Sequence, residues 1–461
     1  MAPLLMFGFA SDGLAQRPKT AAKKPDAKKK AEETAEVIPV HVGAEVFRDN
    51  LNRRYLDNKY DQLFPRGESI VQQQVDQVRA MAEKGNINKA LLKTYVQHAA
   101  KELTSHANIE AMLDTQKGAS SSFLKLEEAA NRLAIPLEAA NLKGNALFRK
   151  AFVQEMLAPG VGDALIKNHL YARVQFMIAL ANSAEPEALD FFNGVLGDKD
   201  QPGLMKLEAA RGISRVVAGG KKAESIDANT RVKSAKALSD FLRAEPQTIW
   251  PALDRALEAL GALRLDSFDP GRGDLDFLAT ASLYLAKAQT PELRARATWA
   301  IGMMRINPNG KVAYPLLAAH AGTAAIELAE RALGEYNPSA EPLDLNAPVR
   351  YWTARLIAEV GLGLKGDPDL PESGLVTQSN RAGRDDARAV GNVEEKVREV
   401  CKAADALTKA VGALRTTEKA NFAKTIAELR ALLAEDPPKE TKLFPNGPDL
   451  PFGGTEAATG R

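Results

Sequence analysis

The twelve residues Pro291-Glu-Leu-Arg-Ala-Arg-Ala-Thr-Trp-Ala-Ile-Gly302 constrain the fold of this chain more than any other stretch. A proline opens a helix, because its missing N–H belongs to the first turn, where no intrahelical acceptor exists. Leu293, Ala297, Ala300 and Ile301 then fall on one face, with Arg294 and Arg296 directed elsewhere. Such a helix is too short and too lightly apolar to stand alone, so it needs neighbours of the same kind.

Neighbours of that kind recur. Arg173, Phe176, Leu180 and Ala181 repeat the spacing of Arg294, Ala297, Ile301 and Gly302, as do Lys206, Ala209, Ile213 and Ser214. Leu253, Ala256, Leu260 and Gly261 form another copy, and Arg350, Thr353, Ile357 and Ala358 a fifth. In each, an anchor is followed three residues later by a second position, and seven and eight later by an apolar–small pair. Steps of three and four place all four on one helical stripe, and the small residue permits close approach of the next helix. The anchors lie 33, 47, 41 and 56 residues apart. Second helices are expected between them at 187–196, 231–242, 274–287 and 324–333.

These stretches resemble the HEAT-repeat family, whose units are helical pairs of roughly 40 residues stacked into a superhelix. The likeness spans about residues 160–364 and is fullest at 291–302, which carries the Leu-Arg-x-x-Ala-x-x-x-Ile-Gly form intact. Leu253 departs from the basic anchor and Thr353 from the alanine. The resemblance implies an all-α chain: an α-solenoid of stacked helical hairpins, with disordered termini. It also implies a long face suited to protein partners, on which Lys206, Arg296 and Arg350 are the candidate contacts.

Before the repeats, residues 44–157 are expected to be helical. The segment 44–64 carries Val46, Phe47, Leu51, Tyr55, Tyr60 and Leu63 in amphipathic spacing, and helices are expected at 68–83, 88–104, 123–142 and 145–157. The repeats are assigned to 158–364. Beyond them the composition turns to proline, glycine and scattered charge, which reads as a linker over 365–392. A helical hairpin over 393–435 and a disordered Pro/Gly-rich tail over 436–461 complete the expectation.

The first fifteen residues, an apolar run followed by Gly13-Leu14-Ala15, read as the remnant of a secretory signal, which points to export. Residues 16–43 are rich in lysine, alanine and proline and read as a disordered basic linker, able to touch an anionic envelope surface. Over the whole chain, 61 Lys and Arg stand against 59 Asp and Glu, which gives no reason to expect nucleic acid as a partner. No apolar run nears the roughly 18 residues of a membrane-spanning helix.

Motifs of chemistry are sparse. The histidines, His41, His98, His106, His169 and His320, include no helical pair of the zinc type, although His98 and His106 could share a face. Gly219-Gly-Lys-Lys222 lacks the first glycine and the final Ser/Thr of a phosphate loop. Asp266, Asp269, Asp274 and Asp276 crowd together without an EF-hand spacing, and Asp274 reads as a helix N-cap. Cys401, the single cysteine, reads as a small buried hydrophobe. Trp250, Trp299 and Trp352 read as packing between repeats. No cofactor is expected. The reading is a non-enzymatic interaction scaffold; the alternatives are an envelope-associated structural protein held by its basic segment, or a catalytic helical-repeat protein.

Overall fold

Short runs of leucine and alanine, each closed by a cap or a turn, give this chain helices throughout, and no strand occurs among the described residues. The computed structural model describes residues 70–113, 120–269, 275–286, 289–336, 347–383, 386–410 and 416–452. All belong to one unit, Val42–Arg461; the other unit, Met1–His41, lies outside the described residues, as does the amphipathic segment 44–64.

The helices are α1 Gln72–Lys84, α2 Lys89–Thr104, α3 His106–Leu113, α4 Ser120–Leu142, α5 Ala146–Met156 and α6 Val161–Ile166. They continue with α7 Leu170–Ser183, α8 Leu189–Gly197, α9 Gly203–Val216, α10 Ala228–Ala244, α11 Trp250–Ala262, α12 Asp276–Ser282 and α13 Pro291–Met303. The last are α14 Tyr314–Glu335, α15 Ala347–Arg355, α16 Leu362–Lys365, α17 Leu375–Arg381, α18 Ala387–Ala410 and α19 Thr416–Glu435. Between α15 and α16, Leu356–Gly361 is a π-helical turn.

Caps set several starts. The Asn88, Asn145, Asp227 and Thr290 side chains accept from backbone N–H groups one turn on, satisfying donors that a helix leaves open. The expected helix 324–333 proves to be part of α14, which runs unbroken from Tyr314.

Packing alternates along the chain. α4, α7, α9, α11 and α13 form one row, each against the next, and α16 extends it beyond α13. α8, α10 and α12 form a second row, each turned against the first-row helix that follows it. α4 also packs on α2, so the N-terminal helices continue the first row. Between the rows lies a core that includes Phe176, Phe192, Ile213, Phe241, Leu260 and Phe277.

Where first-row helices meet, the eighth-position residue decides the spacing. A Cβ on Gly261 would lie 2.5 Å from Ala300 Cα, and one on Gly302 would lie 2.6 Å from Gly363 Cα. The backbones therefore touch, and nothing larger than hydrogen fits at either point.

Four of the five aligned stretches face the core with every position. The fifth does not. Arg350, Ile357 and Ala358 are exposed, whereas Val349, Thr353, Leu356 and Val360 are buried. The buried set keeps ordinary helical steps but, at Val349 and Leu356, lies one residue ahead of the aligned register.

Two stretches expected to be irregular are ordered by backbone contacts. In 365–392, Leu370, Leu375 and Gln378 are buried; Gly374 N donates to Gly302 O at 2.7 Å, and Gln378 Nε2 donates to Gly302 O and Met304 O. In the tail, Ala313 N donates to Leu443 O at 2.8 Å, and Leu450 packs beside His320 and Phe452 near the start of α14. Glycine and proline remove regular structure there without removing partners for the backbone.

Two measurements check this packing. Gly302→Ala should lower the unfolding free energy by about 3 kcal/mol, since the methyl meets backbone rather than a movable side chain. Gly194→Ala, exposed in α8 with nothing within 4 Å of its Cβ, should instead raise it by about 0.5–1 kcal/mol in the same denaturant titration.

Acid should act through His169. It caps α7 by accepting from Tyr171 N at 3.2 Å, and burial, then Arg173, pulls it from 6.5 down to about 4. Folded, it holds fewer protons than unfolded between those values, so its contribution is complete above pH 6.5 and is lost as pH falls through that window. Thermal unfolding across it should therefore show the wild type losing stability more steeply than His169→Asn. The difference is at most about 1.4 kcal/mol per pH unit.

Candidate interaction face

One side of the first row is lined by the position two residues past each anchor. Glu208 on α9, Arg255 on α11 and Arg296 on α13 occupy it, all polar, on helices whose other faces are apolar. Helical geometry turns this position away from the stripe at anchor, third and seventh, so it can carry charge without breaking the core.

These side chains interlock across helices. On α9, Arg211 donates to Glu208 at 3.2 Å, and Ser214 Oγ donates to Glu258 of α11 at 3.1 Å. Arg255 pairs with Glu258 on α11. Further along, Arg296 Nε lies 3.3 Å from Asp254 Oδ1, and its Nη2 lies 2.9 Å from Glu359 in the π-turn. Arg355 at the end of α15 closes the cluster, 3.0 Å from Asp254 and 3.1 Å from Glu359. Two arginines and two carboxylates from four segments thus share one buried centre.

Burial governs its electrostatics. It pushes the Glu359 carboxyl up to about 7, against the pulls of Arg296 and then Arg355. Arg355 and Arg296 stand above their ordinary values: burial opposes their charge, and Asp254 and then Glu359 outweigh it. Glu208 is raised by burial despite Arg211, and Arg215 is lowered by burial and by the like charge of Arg211.

Aromatic rings cover the arginines. The Arg355 guanidinium carbon lies 5.6 Å from the Trp250 ring centre and 5.1 Å from that of Tyr351, and that of Arg296 lies 5.6 Å from Trp299. Arg331 similarly lies over Trp352. The three tryptophans are partly buried and pack on the core, while Tyr351 and Ile357 are exposed. The result is a face of half-open rings set on fixed charges.

The expected contacts distribute unevenly over it. Arg350 is exposed, one residue from Tyr351. Arg296 belongs to the face but its guanidinium is held inward by Asp254 and Glu359, with 13% of its side chain exposed. Lys206 is not on it: its side chain is 0% exposed and its ammonium pairs with Glu245. Arg294, expected to turn away from the apolar face, is likewise buried and pairs with Glu327.

Asp254, Arg355 and Glu359 were not among the expected contacts. The one sequence signal for them is the four-residue spacing of Arg355 and Glu359, which also fits an ordinary surface pair.

The other candidates resolve differently. Cys401 is partly buried with its thiol 3.8 Å from Leu356 O, and burial raises it to about 12. Asp266 is buried and accepts from Asn307 N and Ser267 Oγ, and Asp274 lies outside the described residues. His98 and His106 sit on different helices, separated at Ser105, and His98 instead meets Arg132. Among the described residues no group of three or more His, Cys, Asp or Glu side chains is placed to hold a metal ion, and no helix is long and apolar enough to cross a membrane.

Set against known proteins, the chain matches no family model, no curated protein and no solved structure.

Removing one member of the buried centre strands the others. Arg355→Met should cost about 3–5 kcal/mol in denaturant unfolding, because Asp254 and Glu359 lose a cation without gaining water. Lys233→Met, which breaks the exposed pair with Asp190, should cost no more than about 1 kcal/mol in the same assay.

Proposed function

We propose that this chain is a non-enzymatic protein-interaction scaffold. Its two rows of helices build a HEAT-like α-solenoid, and its partner docks on the face of Trp250, Trp299, Tyr351 and Arg350. The observation that carries this reading is the set of half-open rings over arginines whose positions are fixed by buried carboxylates. Rigid aromatic and arginine side chains give much contact area for little ordering entropy, which is why they dominate the energetic centres of protein interfaces. The alternation of packed rows supports the solenoid, since each first-row helix packs on the next along the chain.

The charge of the face suits an acidic partner segment. Among the described residues Arg215 has no hydrogen-bonded carboxylate, and Arg211 and Arg255 keep 35% and 44% of their side chains exposed despite their glutamate pairs. A partner carboxylate can approach these cations without breaking the inner cluster.

A photoreactive side chain placed at Tyr351 tests the reading. In cells, it should give one discrete crosslinked protein, while the same group at Lys233 on α10 of the second row gives none. Crosslinks of equal yield from both positions, or none from Tyr351, would contradict the scaffold reading.

A further inference from the structure

The far ends of the first-row helices meet around a polar cavity of about 330 Å³. Its wall takes Lys221 from the turn after α9, Arg264 from the turn after α11 and Arg305 from the turn after α13. The loop after α16 closes it with Asp369 and Glu372.

Basic residues past a helix C-terminus ordinarily offset the helix dipole and stay paired at the surface. Lys221 and Arg305 follow that rule. Lys221 lies 2.5 Å from Asp369; Arg305 lies 2.9 Å from Glu224 and 2.6 Å from Glu372. Arg264 does not. It is 6% exposed, yet among the described residues it forms no ion pair; its Nη2 donates to the Pro371 carbonyl, and its Nε–H is buried with no acceptor among them.

Charges of both signs surround Arg264. Burial, then Arg305, pulls its guanidinium below the usual arginine value; Glu224 and Glu372 oppose that pull, and Arg231 adds a further like charge. Arg231 too buries its Nε without an acceptor. The backbone is set unusually around it: Arg264 has φ 59°, and Ala218, Gly219 and Gly220 of the neighbouring turn have φ 48°, 64° and 103°. Non-glycine residues in this region carry strain, which a fold retains where the geometry serves a site. Gly220 packs closely on the Arg264 stem: a Cβ there would lie 3.3 Å from Leu370 Cδ1 and 3.5 Å from Arg264 Cδ.

The geometry points to a binding site for a small organic anion, whose phosphate or carboxylate group sits on Arg264 and whose body fills the cavity. The anion supplies the direct ion-pair partner that Arg264, unlike Lys221 and Arg305, lacks among the described residues. Glu224, Asp369 and Glu372 on the wall accept hydrogen bonds from hydroxyl or amino groups on that body. The site lies at the helix ends, apart from the aromatic face, and does not depend on it.

The test is calorimetric titration of the full chain at constant ionic strength with inorganic phosphate, glycerol phosphate and acetate. At least one should bind saturably at millimolar concentration, and the preference between phosphate and acetate identifies the anionic group. Arg264→Gln should weaken that binding about tenfold or more, the loss expected for a charge-assisted hydrogen bond. Arg264→Lys should retain part of it, and Lys233→Gln all of it. If Arg264→Gln does not fold by circular dichroism, Lys221→Gln takes its place, with a several-fold loss expected. Absence of saturable binding by all three probes, or equal binding by wild type and the cavity variant, overturns the proposal.

Discussion

Three helices of the first row each bury a cation near their start and pair it within the same stretch of chain. Arg173 of α7 donates to Gln201 just before α9; Lys206 of α9 pairs with Glu245 at the end of α10; Arg294 of α13 pairs with Glu327 in α14. The cation sits among apolar residues and its partner reaches in from the edge, where it keeps some solvent: Glu245 and Glu327 expose 30% and 29% of their side chains. A buried charge with no partner would cost several kcal/mol, so each contact favours the segment that brings the partner in over that first-row helix. Leu253 replaces the cation in α11, where the following helix, α12, is only seven residues long.

With that pairing fixed, the small residue at the other end of the stripe sets how near the next unit comes. Gly261 against Ala300, and Gly302 against Gly363, bring backbones into contact and leave little freedom in the angle between neighbours. Asp254, Arg296, Arg355 and Glu359 converge because three units are held this closely, and a looser stack would fill the gap with water. The ionic centre therefore depends on the same close approach as the glycine contacts, and losing one member costs more than the intact cluster contributes.

Much of this was legible in the sequence. Alternating helices, their starts at residues 88 and 145, and the small residues at Gly261 and Gly302 follow from periodicity and side-chain volume. The direction of the basic anchors was not. Arginine or lysine beside an apolar stripe has the same pattern whether it reaches solvent or turns inward, and only the distant Glu245 or Glu327 decides which. These partners lie 39 and 33 residues away, beyond any helical period. The register of α15 failed by one residue, since Val349 and Leu356 bury while Arg350 and Ile357, which fit the repeat equally well, are exposed. Nor could proline and glycine over 365–392 disclose that Gly374 and Gln378 supply donors to the open carbonyls of α13.

The same stacking has different consequences at the two places proposed as sites. Along the helix flanks most arginines have a carboxylate on their own helix or the next, so charge is largely neutralised and the face presents aromatic edges with a modest positive excess. At the helix ends the turns differ in length and hand, and pairing is incomplete. Lys221 and Arg305 find carboxylates on flexible reach, but Arg264, fixed by its left-handed backbone and buried stem, cannot rotate to one. The flank therefore favours a large, sequence-tolerant protein surface, where many small contacts add. The end favours a small ligand that brings its own charge to a guanidinium already held in place.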